Sequence, residues 1–266
     1  MTFLTGSRTE QLCWATVGIM LVAAVLTVTV QLADKRLLDG VSIWAKPLKF
    51  ELATAVHFAT LGLVVAALSP AWRTGSLLWW VMLAAVVSAL FEVGYIALQA
   101  SRQEASHFNT GTPIQAALYS LMALGAVILT AAAGVVGFLA LIDGEARMGL
   151  ATRIGVGVGL IGGTVLTIIV GLTMGGSPGH HVGVEPAGAA RMPITGWSLT
   201  VGDRRVPHFF ATHMMQAVPV AGLLLDMIAT RWIAVGGVTI FAAAWGGATW
   251  LLFERANAGL SFLVWR

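Results

Sequence analysis

Residues 113–142 read PIQAALYSLMALGAVILTAAAGVVGFLALI, a run without one charged side chain. A helix that crosses a bilayer needs ~20 mostly apolar residues, because every backbone polar group must find its partner inside the segment. This run is long enough. Thr112-Pro113 at its start reads as an N-cap followed by proline at the first helical position. Six further stretches share its character, roughly 11–33, 44–69, 76–100, 149–174, 207–230 and 232–254. The breaks carry turn chemistry: Ser69-Pro70, Asp143-Gly144, and Gly175-Gly176 with Pro178 close behind. The sequence thus predicts an all-α integral membrane protein. Its expected form is a single polytopic domain over residues 1–266, a bundle of about seven transmembrane helices with residues 175–206 as a lid-like extramembrane loop.

Composition agrees. Of 266 residues, 58% are hydrophobic and 10% charged, whereas a soluble domain carries about 25% charged residues. A net charge of +3 makes no phosphate-tracking patch, so nucleic acid is excluded as a partner. Cys13 has no second cysteine to pair with. The segment before span one lacks a basic n-region, so span one reads as a retained helix rather than a cleaved signal. The glycines of span five, Gly155, Gly157, Gly159, Gly162 and Gly163, suit close helix packing. In the long Gly/Pro-rich loop, residues 197–201 and 204–206 flank Gly202-Asp203, which reads as the turn of a short β-hairpin. Short Arg-bearing loops lean towards a cytoplasmic N-terminus, with the C-terminus opposite. The raw Lys+Arg tally points the other way.

The polar residues concentrate. His57, His107, His180, His181, His208 and His213 fall on or near the membrane side that bears the first, third and fifth connections. At 100° per residue, Lys46, Lys49, Ala53, His57 and Thr60 share one face of span two. Ser88, Glu92, Tyr95, Gln99 and Gln103 form a stripe on span three, and Thr212, His213 and Gln216 cluster on span six. A carboxylate inside an apolar run costs ~2.5–3.5 kcal/mol on insertion scales, so Glu92 is expected to face an interior and to serve a function. The sharpest expectation is one cavity lined by His57, Glu92 and His213, with Tyr95, Gln99 and Gln216 around them, opening towards the 175–206 loop. Asp226 reads as an interface residue and His180-His181 as solvated loop residues. No lysine follows Lys49, which excludes a retinal Schiff base on a late helix, and neither a phosphate-binding loop nor a His-Glu-x-x-His helix occurs.

The strings Ser106-His-Phe-Asn109, Met174-Gly-Gly followed by Gly179-His180, and 208–216 (HFFATHMMQ) resemble segments of bacterial multi-pass membrane proteins. The resemblance implies a bacterial inner (plasma) membrane; no activity comes with it, and no catalytic residue follows from it.

Three functions compete at this stage. The first is cofactor binding with a redox role. Haem b would use His57 and His213 as axial ligands, with Gln99 and Gln216 nearby; a transition metal would draw on His57, His213, His107 and His208. The second is a membrane-embedded metal-dependent hydrolase or lipid-modifying enzyme, with Glu92, Lys49 and Tyr95 as catalytic candidates. The third is a small-molecule transporter or sensor. Besides the lipid bilayer, a small hydrophobic ligand or quinone is the partner these readings allow.

Overall fold

Helices form where the apolar runs place them. The computed structural model describes residues 6–263. Its long helices are α1 (Arg8–Ala33), α2 (Ala45–Ala67), α4 (Ser76–Ser101), α5 (Pro113–Ile142), α6 (Leu150–Gly175), α7 (Arg205–Ile228) and α8 (Arg231–Asn257), with a one-turn α3 (Pro70–Arg73) between α2 and α4. All seven long helices have the length and apolarity to cross a membrane. α5 begins at the expected cap, where Thr112 Oγ1 accepts from the Gln115 backbone N–H at 3.2 Å. Val22, Val25 and Leu26 on α1, and Trp232, Ile233 and Ile240 on α8, are exposed. Apolar faces of that extent are untenable in water and are the surfaces a bilayer covers. The chain is an all-α multi-pass membrane bundle.

Internal contacts divide the chain into two compact units. One runs to Ala132 and includes Asp143–Arg147; the other comprises Ala133–Ile142 and everything from Met148. In the first unit α1 lies along α2, with Cys13 and Trp14 so close to Gly62 that a methyl group there would sit 3.3 Å from both. Phe58, Leu61, Val65, Leu78 and Met82 complete a buried apolar interior. At one end β1 (Leu37–Leu38) and β2 (Val41–Ser42) pair antiparallel around Asp39-Gly40, whose φ angles of 52° and 76° make the primed turn that suits a tight hairpin. This hairpin closes the end of α4: Arg36 Nη1 donates to the Ser101 carbonyl (3.0 Å) and Gln103 Nε2 to that of Leu37 (2.8 Å). At the other end Asp143 Oδ2 accepts from the Ser69 N–H (2.7 Å), and Arg147 Nη2 donates to the Ala66 carbonyl (2.7 Å).

In the second unit α6 meets α7 along a seam of small residues. A methyl group at Gly155 would stand 2.8 Å from the Val218 carbonyl, one at Gly159 2.7 Å from Pro219 Cδ, and one at Gly163 2.6 Å from Met215 Cγ. The glycine cluster is therefore close packing, as the sequence suggests. Asp226, expected to be a simple interface residue, instead caps α6 from the far end of α7. Its carboxylate accepts from the Ala151 N–H (3.2 Å), the Thr152 N–H (2.7 Å) and Thr152 Oγ1 (2.6 Å), taking up donors that the first turn of a helix leaves free.

The loop between α6 and α7 corrects the sequence reading. Gly202-Asp203 is not a hairpin turn but a strand, β4, paired antiparallel with β3 (His181–Val182) so that His181 faces Asp203. A side chain at Gly202 would run into the Ala256 carbonyl, so β4 lies directly on the end of α8. Arg205 and Val206 already belong to α7. The loop's own turn comes earlier: the Met192 N–H donates to the Trp197 carbonyl (2.9 Å), and Gly196 supplies a φ of 71°. Arg204 ties the segment down, its Nε donating to Asn257 Oδ1 (2.8 Å) and its Nη1 to Ser177 Oγ (2.6 Å).

Candidate functional site

The β3–β4 pairing sets the most compact ligand cluster among the described residues. One ligand atom each from His180, His181 and Asp203 lies within 4.8 Å of the others. His181 Nε2 is 3.5 Å from Asp203 Oδ2, and its Nδ1 is 3.6 Å from Glu185 Oε2. The His180 and His181 rings meet edge-on at 4.2 Å between centroids. Neither histidine is a free loop residue, contrary to the sequence reading; both are half-buried. Asp203 is almost wholly buried at 4% exposure and fully bonded. Its Oδ2 accepts from the Ser198 N–H (3.0 Å) and Arg205 Nη2 (2.6 Å), and its Oδ1 from the Arg205 N–H (3.0 Å) and Nε (2.9 Å). Arg191 holds Glu185 at 2.5 Å.

The electrostatics follow from these contacts. Burial works to raise the Asp203 carboxyl, but the Arg205 fork and the two backbone N–H groups outweigh it and hold the group below the usual carboxylate range. Burial first, then the Arg205 charge, push His180 down to about 4. That shift favours the neutral imidazole, the form in which a histidine ligates a metal. Two imidazoles with a carboxylate are the donor set of zinc and its borderline neighbours. The arrangement fits such an ion only where the Arg205 guanidinium, which donates to Asp203 Oδ2 (2.6 Å) and approaches His181 Nε2 (3.5 Å), gives way to it, since the Ser198 N–H already holds the same oxygen.

The residues singled out on the spans divide between the units. In the first, Ser88, Glu92, Tyr95 and Gln99 are all buried, as their spacing predicts, while Gln103 falls past the helix end. Glu92 lies against α5, where a methyl group at Gly125 would meet its Oε1 at 3.5 Å. Tyr95 stacks on Phe91 at 6.2 Å, and Gln99 Nε2 donates to Glu104 Oε2 (3.2 Å). His57 is buried; its ring donates to the Leu129 backbone carbonyl, and its Nε2 is shielded with no partner. Lys49 is exposed, whereas Lys46 Nζ bonds His107 Nδ1 (3.0 Å), which Ser106 Oγ also approaches (3.2 Å). Along that face of span two, His57 is buried while Lys49 and Ala53 are exposed. In the second unit His213 Nδ1 donates to Gln216 Oε1 (3.2 Å) under the Phe209 ring, and His208 lies over Gly171 with its Nδ1 shielded and unpartnered.

Sequence reasoning missed two features. One is the His180, His181 and Asp203 cluster, whose only sequence signal was paired histidines and an aspartate at opposite ends of one loop. The other is Glu51, 2% exposed inside α2, whose Oε1 accepts from Thr27 Oγ1 of α1 (2.7 Å) while its Oε2 is buried without a partner. The argument that drew attention to Glu92, a carboxylate within an apolar run, applies equally to Glu51.

No protein-family model matches the chain, and no match was found among the curated proteins or the solved structures.

Proposed function

We propose that this multi-pass membrane protein holds a transition-metal ion of the zinc class outside the bilayer, at the loop joining α6 to α7, with His180, His181 and Asp203 as ligands. The observation that supports this reading is the convergence of the three ligand atoms within 4.8 Å on a strand pair fixed to the end of α8. A metal there would supply a Lewis acid or an electron carrier at the membrane surface. The chain's own contribution is to orient the donors. The β3–β4 register brings His181 to Asp203, and the Ser198 N–H fixes the carboxylate. Arg205 neutralises Asp203 when no cation is bound, so it competes with the ion.

The test is metal uptake by the purified protein, followed by elemental analysis and calorimetric titration with Zn²⁺, Co²⁺ and Cu²⁺. One ion per chain is expected, lost in the double variant His180→Ala/His181→Ala and bound more tightly by Arg205→Gln, which removes the competing guanidinium from Oδ2 and from His181 Nε2. Wild-type protein without stoichiometric metal, or a double variant that binds as well, would overturn the reading.

A second reading, haem b held through His57, is supported by a specific observation: the Leu129 carbonyl fixes the ring and leaves a buried, unpartnered Nε2. Such an arrangement orients a metal-ligating histidine. A Soret band in protein expressed with haem, lost in His57→Ala, is its expected signature, and a colourless preparation removes it.

A further inference from the structure

Between α4 and the first turns of α5 lies a groove of about 660 Å³. Its walls change character along its length. Leu90, Phe91, Gly94, Leu98, Ile114 and Leu118 make one part apolar, and Gln99, Arg102, Glu104, Thr112 and Gln115 gather at the other end. At 1.5 Å per residue, Leu90 to Gln99 covers ~14 Å of α4. Half of a ~30 Å hydrocarbon core is about the same length. The groove therefore matches one leaflet, with its polar end at the level of the headgroups. Leu98 and Ile114, among its lining residues, are exposed, which opens it sideways to lipid, and the stacked rings of Phe91 and Tyr95 line it.

The polar end carries two opposite charges that do not neutralise each other. No ion pair joins Arg102 to Glu104 among the described residues, and the exposed Arg102 guanidinium has no side-chain partner there. Glu104 is positioned by Gln99, itself 2% exposed, whose Nε2 donates to Glu104 Oε2 (3.2 Å) and to the Ala105 carbonyl (3.3 Å). A neutral quinone could accept from Arg102 through a carbonyl oxygen but offers no donor to Glu104. An anionic lipid would satisfy Arg102 and be repelled by Glu104. A headgroup with a phosphate and a primary ammonium answers both, each through a charge-assisted hydrogen bond.

We propose that this groove binds one phosphatidylethanolamine-type lipid, with its phosphate at Arg102, its ammonium at Glu104, and an acyl chain along Leu90, Phe91, Leu98 and Leu118. The site is separate from the metal cluster and stands without it. Gly94 supplies a probe, because a Cβ added there meets nothing within 4 Å and a leucine at this lining position takes up part of the groove.

Native mass spectrometry of the detergent-purified protein, with palmitoyl-oleoyl phosphatidylethanolamine, phosphatidylcholine, phosphatidylglycerol or decylubiquinone added separately, tests this. Wild type should retain one phosphatidylethanolamine in preference to the other three. Arg102→Ala should weaken that retention on the order of tenfold. Glu104→Gln should erase the preference over phosphatidylcholine, whose quaternary ammonium cannot donate. Gly94→Leu should lose the bound lipid while its melting temperature stays that of wild type. Equal retention of the three phospholipids, a preference for decylubiquinone, or unchanged binding in Arg102→Ala would overturn the proposal, and the arginine variant decides the matter should Gly94→Leu fail to fold.

Discussion

His181 and Asp203 face each other across the β3–β4 pair, Nε2 to Oδ2 at 3.5 Å, because β4 is pressed onto the carbonyl of Ala256 with no room for a side chain at Gly202. The register, and with it the spacing of the donors, hangs on that glycine. Gly202→Val touches no donor atom, yet it must lift β4 from α8 and separate His181 from Asp203. Loss of metal uptake together with faster proteolysis within residues 183–195 is the expected result; unchanged uptake would show that the strand pair does not set the site.

Asp226 caps α6 across space through three hydrogen bonds. Asp226→Ala leaves those donors without an acceptor and should destabilise the second unit by about 1–3 kcal/mol. Thermal unfolding in detergent measures it, and Asp226→Asn should recover part of the loss by keeping an oxygen acceptor.

The seam between α6 and α7 separates glycines that matter from glycines that do not. Gly159→Leu must displace Pro219 or the Met214 carbonyl, and overpacking of this kind costs about 1–3 kcal/mol. Gly236 on α8 has nothing within 4 Å of an added Cβ, so Gly236→Ala should be neutral or gain up to about 1 kcal/mol through helix propensity. Parallel melts of the two variants provide the comparison.

Thr27 gives Glu51 its hydrogen bond between α1 and α2. Thr27→Val keeps the shape but leaves both carboxyl oxygens unpaired, at a cost of about 1–3 kcal/mol. Thr27→Ser keeps the hydroxyl and should melt with wild type. A valine variant as stable as the serine variant would mean that Glu51 finds another donor.

In the exposed turn between α1 and α2, the Arg36 side chain and then the Trp44 indole hydrogen-bond Asp34 and hold its carboxyl well below the usual carboxylate range. A depressed folded-state value contributes stability above the ordinary range, near ~3.9, and loses it only as pH falls through the lower value. The Trp44 indole N–H should therefore stay protected from exchange at pH 5 and lose protection only in strongly acid solution. In Asp34→Ala it should exchange freely at both.

The spans were legible because a bilayer imposes one rule, an apolar run of sufficient length, and residues 113–142 obey it at both ends. The buried stripe of α4 was legible for a similar reason: a fixed helical period carries Ser88, Glu92, Tyr95 and Gln99 to one side. The loop from α6 to α7 was not. Gly202-Asp203 has the composition of a turn, and only its contact with Ala256 makes it a strand. Long-range pairing of this kind leaves no periodic trace, so the meeting of His181 with Asp203 could not be read in advance. Neither could the cap that Asp226 places on α6, for the same reason.

The glycine seam also bears on how the second unit can move. Helices that meet only through long side chains can slide by small rotamer changes, but at Gly155, Gly159 and Gly163 an added Cβ would stand 2.8, 3.1 and 3.2 Å from the Val218, Met214 and Ala211 backbone carbonyls, with Pro219 and Met215 packed beside them. Such a contact is either made or broken. The two helices therefore leave little room to slide against each other, whereas α7 and α8 meet through the Phe210 and Trp245 rings, which can adjust by rotation.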